Sequence, residues 1–171
     1  MQTIPIDETG RFSGYASVFD KLDESGDIVM PGAFRKSLAR RGRERIRLLF
    51  QHDPKEPVGT WEAIAEDGFG LWVEGRLVPG VPRADALRRL IEKRAVDGLS
   101  IGFRTVRATR EPATGHRRLW QIDLWEISIV TFPMMDGARI APGLGLPERN
   151  ARLKGSLSAA ISLLHNQKES P

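Results

Sequence analysis

The chain has 171 residues, of which 40% are hydrophobic and 28% charged, which is the composition of one globular domain with a sizeable core. It contains no cysteine, which excludes a disulfide framework, a thiolate nucleophile and any cysteine-ligated metal. No apolar run approaches the roughly 18 residues of a membrane span, and the N-terminus lacks a signal peptide's apolar stretch, so we expect a soluble, intracellular protein.

Short strands dominate the predicted secondary structure. In chain order they cover residues 12–19, 46–52, 58–65, 70–78, 99–108 and 118–131. A first helix is opened by Pro31-Gly32 and closed by Gly42, and a second begins at Pro82 and runs to about residue 97, just before Gly98. The pattern predicts a mainly β protein, a closed or semi-closed barrel with two or three helices.

The C-terminal part of the chain has a different composition. Residues 142–147 are rich in proline and glycine, which indicates a linker after a main domain of residues 1–141. Apolar residues then recur every three or four positions, at Leu153, Leu157, Ile161 and Leu164. This spacing predicts an amphipathic helical tail within residues 142–171.

A run of basic residues follows the first predicted helix turn. Between residues 35 and 47 only Glu44 opposes seven cations, namely Arg35, Lys36, Arg40, Arg41, Arg43, Arg45 and Arg47. Such a run suits a nucleic acid, an acidic protein surface, or simply a solvated helix face. No aromatic side chain is interleaved to stack on bases, which argues against nucleic acid.

Histidine is scarce, which limits metal and imidazole chemistry. The three histidines are His52, His116 and His165, and no His-Glu-x-x-His motif or glycine-rich phosphate loop is present. We therefore expect neither a metal nor a cofactor.

Gly98-Leu99-Ser100-Ile101-Gly102 matches the Gly-x-Ser-x-Gly nucleophile elbow of α/β-hydrolases. In that fold a strand precedes the serine and a helix follows it. Here a predicted helix precedes Ser100 and a strand follows, so the elbow interpretation fails on its context. A serine in a strand is more often a packing residue than a nucleophile.

Two further titratable residues lie at positions expected to face the core. His52 follows Ile46, Leu48 and Phe50 at every second position, which suits either a general base or a structural histidine. Glu126 shares the parity of its apolar neighbours, and a carboxylate there needs a partner, either an arginine or a catalytic group.

Strand pairing brings two of these candidates together. An antiparallel hairpin of strands 99–108 and 118–131, turning near Ala113 or Thr114, places position 100 opposite positions 126–128. Ser100 and Glu126 then become cross-strand neighbours, with Cβ atoms about 5 Å apart. His116 lies at the turn, too far along the strand to serve Ser100.

Five segments also occur in a recognisable order from about residue 12 to residue 140. They are GYASVF at 14–19, Asp27 with PGAF at 31–34, LFQHD at 49–53, GLSIGF at 98–103 and LWEISIVTFP at 124–133. In combination they resemble the prohead proteases of tailed phages, also called head maturation proteases.

The resemblance implies a fold similar to that of herpesvirus assemblins, a β-barrel ringed by a few helices. Residues 1–141 would then be the catalytic domain of a serine endopeptidase. Ser100 would be its nucleophile, His52 its general base and Glu126 its third member, where assemblins have a second histidine. Backbone amides or a group near Gly137-Ala138-Arg139 would stabilise the oxyanion.

The resemblance also implies cleavage of the major capsid protein's N-terminal scaffold segment, and of the enzyme itself, inside the assembling prohead in the host cytoplasm. The basic run could retain the enzyme against an acidic scaffold, whereas a membrane or a nucleic acid is not an expected partner. Two other functions stay open: a catalytically inactive capsid-assembly or nucleic-acid-binding barrel, and an esterase-type serine hydrolase.

Overall fold

The computed structural model describes residues 5–141, so the predicted linker and tail helix lie outside the described residues. Its strands are β1 (Arg11–Val18), β2 (Asp27–Val29), β3 (Arg47–Phe50), β4 (Asp53–Glu66), β5 (Gly70–Leu77), β6 (Gly98–Arg110), β7 (Arg117–Val130) and β8 (Ile140–Ala141). Its helices are α1 (Arg35–Arg41) and α2 (Pro82–Glu92), with a short 3-10 helix at Arg43–Arg45.

All of these strands belong to one sheet that curls on itself. Its hydrogen-bonded order is β2, β7, β3, β4, β5, β1 and β8, and β6 pairs with β7. Just before β8, Arg139 bridges Gly98 at the start of β6, and the Leu99 N–H donates to the Ala138 carbonyl at 2.8 Å. The chain around β8 thus joins β6 to β1, which confirms the predicted mainly β barrel.

Apolar side chains from the inner faces of the strands fill the barrel. Leu48 on β3, Leu71 on β5, Leu99 on β6 and Ile127 on β7 are all at most 1% exposed. Burial of each such side chain contributes about 1.5–3 kcal/mol relative to exposure. The strand ends that carry the polar residues discussed below are therefore held by a packed core.

Helix α2 packs on this barrel through one apolar face. Ala84, Leu87 and Ile91 are buried, whereas Leu90 is 41% exposed. The helix ends at Glu92 rather than near residue 97 because Arg94 takes a left-handed conformation, with φ +56°. Gly98 then already belongs to β6 and does not cap the helix.

The chain reverses sharply between β3 and β4, and here the predicted strand 46–52 is wrong at its end. Strand β3 stops at Phe50, because Gln51 and His52 both take left-handed backbone conformations. Asp53 and Pro54 do not interrupt the sheet. The chain pairs back antiparallel from Asp53, with irregular register that accommodates the prolines.

A buried carboxylate holds part of the basic run against β7. Asp123, 4% exposed, accepts two hydrogen bonds of 2.9 Å from Arg41, and further ones from Arg40 and the Trp125 indole. The Arg41 hydrogen bonds, helped by those of Trp125 and Arg40, hold the pKa of Asp123 well below its usual range despite its burial. The run is therefore not a uniformly free surface: Arg40 and Arg41 anchor α1 to the strand that also carries Glu126.

Candidate active site

Ser100 is the third residue of β6 and is 7% exposed. It pairs with Ser128 across the β6–β7 ladder, which confirms the register predicted for this hairpin. Glu126 pairs with Gly102, so it lies diagonally from Ser100 on the same face. Register shifts begin only beyond Gly102, towards the hairpin tip, and leave the pairing at Ser100 intact.

The glycines on either side of Ser100 are needed for close approach and not for a nucleophile elbow. A Cβ on Gly98 would lie 2.6 Å from the Val130 carbonyl oxygen. A Cβ on Gly102 would lie 1.8 Å from Oε1 of Glu126, so this glycine makes room for the carboxylate. The match to Gly-x-Ser-x-Gly therefore has a different physical cause here than in α/β-hydrolases.

His52 lies in the turn between β3 and β4, where φ is +54° at Gln51 and +58° at His52. Such backbone costs on the order of 1–3 kcal/mol per residue when no glycine is present. Three hydrogen bonds to β7 and the residue after it offset the cost. The Gln51 N–H donates to Ile129 O at 3.0 Å, the Gln51 side chain to Thr131 Oγ1 at 2.8 Å, and the His52 N–H to Ser128 Oγ at 3.0 Å.

The turn places the imidazole between Ser100 and Glu126. His52 Nε2 lies 2.9 Å from Ser100 Oγ, and Nδ1 lies 2.6 Å from Glu126 Oε1. A carboxylate accepts only, so it selects the tautomer with the proton on Nδ1 and leaves the Nε2 lone pair facing the serine hydroxyl. This is the geometry that a general base needs to take a proton from a nucleophile.

Glu126 is held at both carboxylate oxygens. Oε1 contacts His52, and Oε2 accepts a 2.7 Å hydrogen bond from Ser128 Oγ. Its side chain is 13% exposed. Within residues 5–141 its side-chain partners are His52 and Ser128, and no arginine forms an ion pair with it, which excludes the structural arginine pairing considered from the sequence.

A pocket of about 80 Å³ opens beside Ser100. Apolar side chains from three parts of the chain form much of its wall: Val29, Leu99, Ile101, Phe103, Met134 and Met135. Asp23 and Ser25 also line it, but Asp23 Oδ1 is occupied by hydrogen bonds from Ser25 and from the Asp27 N–H. Ser100 is thus one of the residues that line a small, largely apolar recess.

The segment Gly137-Ala138-Arg139 lies next to the Ser100 strand, but much of its polar capacity is already used. The Ala138 N–H donates to the Met135 carbonyl, and Arg139 is paired with Asp97 at 2.6 Å and with Asp136 at 2.9 Å. These contacts fix the segment against β6. An oxyanion role for it stays a prediction.

The remaining histidines do not join this cluster. His116 is at the far end of the β6–β7 hairpin, beside Gly26, and His165 lies outside the described residues. Within residues 5–141 no group of three or more histidine, aspartate or glutamate side chains is arranged to hold a metal. The same part of the chain contains no helix long and apolar enough to cross a membrane.

Sequence reasoning missed three residues around this cluster. Gly102 and Ser128 could have been found from the strand pattern, since one faces Glu126 across the ladder and the other follows it by two positions on the same face. The role of Gln51 could not have been predicted, because nothing in the sequence indicates that its side chain reaches Thr131.

The sequence matches a known protein family and is similar to a phage protein. Residues 2–148 match the family described as caudovirus prohead serine protease. The prohead protease of Enterobacteria phage HK97 is 39% identical over 153 residues, which cover 82% of this chain and 68% of that protein.

Solved structures share the fold at low sequence identity. The capsid assembly protease gp21 of bacteriophage T4 superposes with a TM-score of 0.61 at 14% identity, covering 72% of this chain and 82% of that one. The KSHV protease, solved with a hexapeptide phosphonate inhibitor, superposes with a TM-score of 0.54 at 14% identity, covering 86% and 76%. The predicted likeness to phage prohead proteases and to the assemblin fold is confirmed.

Proposed function

Because the chain belongs to the caudovirus prohead serine protease family, we propose that it is a serine endopeptidase that removes the scaffold segment of the major capsid protein during prohead maturation. The observation that carries the proposal is the continuous hydrogen-bonded path from Glu126 through His52 to Ser100, with contacts of 2.6 and 2.9 Å. The enzyme would act inside the assembling prohead in the host cytoplasm and would also cleave itself.

The proposed reaction has two halves, acylation and deacylation, and all three side chains take part in both. His52 Nε2 takes the proton of Ser100 as Oγ attacks the scissile carbonyl carbon, and then gives that proton to the leaving amine. The resulting acyl-enzyme is hydrolysed by a water that His52 deprotonates, and Ser100 recovers its proton. Glu126 keeps Nδ1 protonated and stabilises the imidazolium that forms in both halves.

The recess beside Ser100 supports a peptide substrate. Its apolar wall, including Phe103 and Met135, gives a substrate side chain near the scissile bond a surface on which to pack. An ester hydrolase needs the same three catalytic groups, so the substrate distinguishes the two functions.

The exposed part of the basic run supports an acidic protein partner. Arg35, Lys36 and Arg45 are exposed, and none of them forms an ion pair within residues 5–141. Such a surface would hold the enzyme near an acidic scaffold before cleavage, and added salt would weaken this attraction.

Co-expression with the major capsid protein from the same genome tests the proposal, with intact mass as the readout. We expect the wild-type protein to shorten the capsid protein at its N-terminal side and Ser100→Ala to leave it full length. Full processing by Ser100→Ala would instead support an inactive assembly barrel accompanied by another protease. Turnover of p-nitrophenyl esters without any capsid cleavage would support the esterase.

Gly102→Ala should inactivate the enzyme without unfolding it. The new methyl group would occupy the position of Glu126 Oε1, and the glutamate side chain can swing away while the strand stays paired. We expect a loss of about 10³-fold in kcat, because the imidazole loses its orienting carboxylate. Peptide hydrolysis and thermal melting measure the two effects.

Gly68→Ala, in the turn between β4 and β5, is the matched control for Gly102→Ala, because a Cβ added there meets nothing within 4 Å. It should keep kcat within about tenfold of the wild type. Normal hydrolysis by Gly102→Ala would show that Glu126 does not need its observed position.

A further inference from the structure

Ser128 is a buried hydroxyl that touches two members of the proposed catalytic triad. It is 0% exposed, accepts a 3.0 Å hydrogen bond from the His52 N–H and donates a 2.7 Å hydrogen bond to Glu126 Oε2. We propose that Ser128 is a positioning residue that sets the orientation of both His52 and Glu126. This inference rests on the proposed function, since it assigns Ser128 a role in the same reaction.

The direction of both hydrogen bonds is fixed by chemistry. An amide N–H can only donate and a carboxylate can only accept, so the hydroxyl must accept from His52 and give its proton to Glu126. One hydroxyl therefore satisfies a main-chain donor in the turn and a carboxylate oxygen on the strand at the same time.

Strand geometry explains why position 128 can do this. Residues two apart on a strand share a face, so Ser128 and Glu126 project together from β7. Ser100 is the direct partner of Ser128 across the ladder, which places all of these groups on one face of the β6–β7 hairpin. The left-handed His52 backbone then points its N–H back at this face.

Removing the hydroxyl should loosen both attachments. The His52 N–H would lose its partner in a turn that is already costly, and Glu126 would keep a contact at Oε1 alone. The imidazole would then be held less often in line with Ser100. Loss of a residue that orients a metal ligand typically costs about 10- to 100-fold in metal affinity or activity, and we expect a loss of the same size for an oriented catalytic imidazole.

A buried serine that joins a backbone N–H to a carboxylate can also be purely structural, and this chain contains such a serine. Ser37 is 3% exposed, accepts a 2.9 Å hydrogen bond from the Leu124 N–H and donates a long one of 3.4 Å to Asp123. It contacts the same strand, β7, but none of the triad residues. Ser37→Ala is therefore the matched control for Ser128→Ala.

The test measures the rate at which a fluorophosphonate labels Ser100, which needs no knowledge of the cleavage site. Ser100 Oγ attacks phosphorus, fluoride leaves, and His52 takes the serine proton, so the rate reports activation of the nucleophile. Each serine variant is made in the wild type and in Glu126→Gln. Melting curves confirm that the compared proteins are folded.

We expect Ser128→Ala to slow labelling about 10- to 100-fold in the wild type and by a smaller factor in Glu126→Gln, where its remaining effect is loss of the hydrogen bond from the His52 N–H. Ser37→Ala should change the rate less than about twofold in either background, although it lowers the melting temperature. Labelling of Ser128→Ala at the wild-type rate, or an equal loss in both backgrounds, would overturn the proposal.

Two further comparisons keep the outcome clear. If Ser128→Ala does not fold, Ser128→Cys keeps the size of the side chain and weakens its donor. It should slow labelling by a larger factor in the wild type than in Glu126→Gln, and wild-type labelling by Ser128→Cys would overturn the proposal. If the wild type itself is not labelled at Ser100, the proposed function fails. If the wild type is labelled and the Ser128 variants are labelled at the same rate, the positioning role alone fails.

Discussion

Replacing Ser100 with alanine should lower the rate of peptide hydrolysis by about 10⁶-fold, which is the loss expected when a triad nucleophile is removed. His52→Ala should cost about as much, because without a base the hydroxyl keeps its proton at neutral pH. The double variant should be no slower than either single variant, since the two side chains act as one unit at 2.9 Å. Single-turnover hydrolysis of a peptide spanning the capsid cleavage site measures all three rates.

His116→Ala is the matched control for His52→Ala, because His116 lies at the far end of the hairpin from Ser100. It should hydrolyse the peptide at the wild-type rate. Additive losses in the double variant, or a His52→Ala enzyme that retains a tenth of the activity, would be incompatible with a serine activated by His52.

Glu126→Gln should lower kcat by about 10⁴-fold and leave KM nearly unchanged. The amide has no charge to stabilise the imidazolium, and its NH₂ group can turn towards His52 Nδ1 and favour the wrong tautomer. Ser128 adds to this effect, because its hydroxyl can accept from the amide and no longer fixes which atom faces the histidine. Steady-state kinetics on the same peptide separate the two parameters.

Glu126→Asp serves as the comparison that keeps the charge. Its carboxylate is withdrawn by one methylene from His52, so we expect activity between that of Glu126→Gln and the wild type. If Glu126→Gln retained wild-type kcat, the 2.6 Å contact would be structural and the catalytic unit would consist of His52 and Ser100 alone.

The strand pattern was enough to predict the barrel and the pairing of Ser100 with the region of Glu126. The β6–β7 hairpin is long and regular at its base, so the position of its turn determines which residues face each other. The irregularities lie beyond Gly102 and do not disturb that pairing. This regular pairing is why two members of the site could be brought together without any three-dimensional information.

The position of His52 could not be derived in the same way. Strand alternation placed it on the rim of a buried face, but in the structure it belongs to no strand. Its left-handed backbone depends on contacts with Ile129, Ser128 and Thr131, all remote in the sequence. Propensity favours extended backbone at such residues, so tertiary hydrogen bonds determine this turn.

The ion pairs of the basic run could not be predicted from the sequence either. Sequence alone counted Arg40 and Arg41 among surface cations, because Glu44 is the one acidic residue near them in the chain. Their partner, Asp123, is more than eighty residues away and buried on β7. Charge patterns read along the chain therefore overestimate the free positive surface wherever a strand from another part of the fold supplies a carboxylate.

Mass spectrometry of the fluorophosphonate-treated protein is the most direct test of whether His52 turns the Ser100 hydroxyl into a nucleophile. We expect one adduct per chain, on the peptide that contains Ser100, and no adduct on folded His52→Ala over the same time. Labelling of folded His52→Ala at the wild-type rate would contradict this expectation, as would an enzyme that still cleaves the capsid protein while Ser100 stays unmodified.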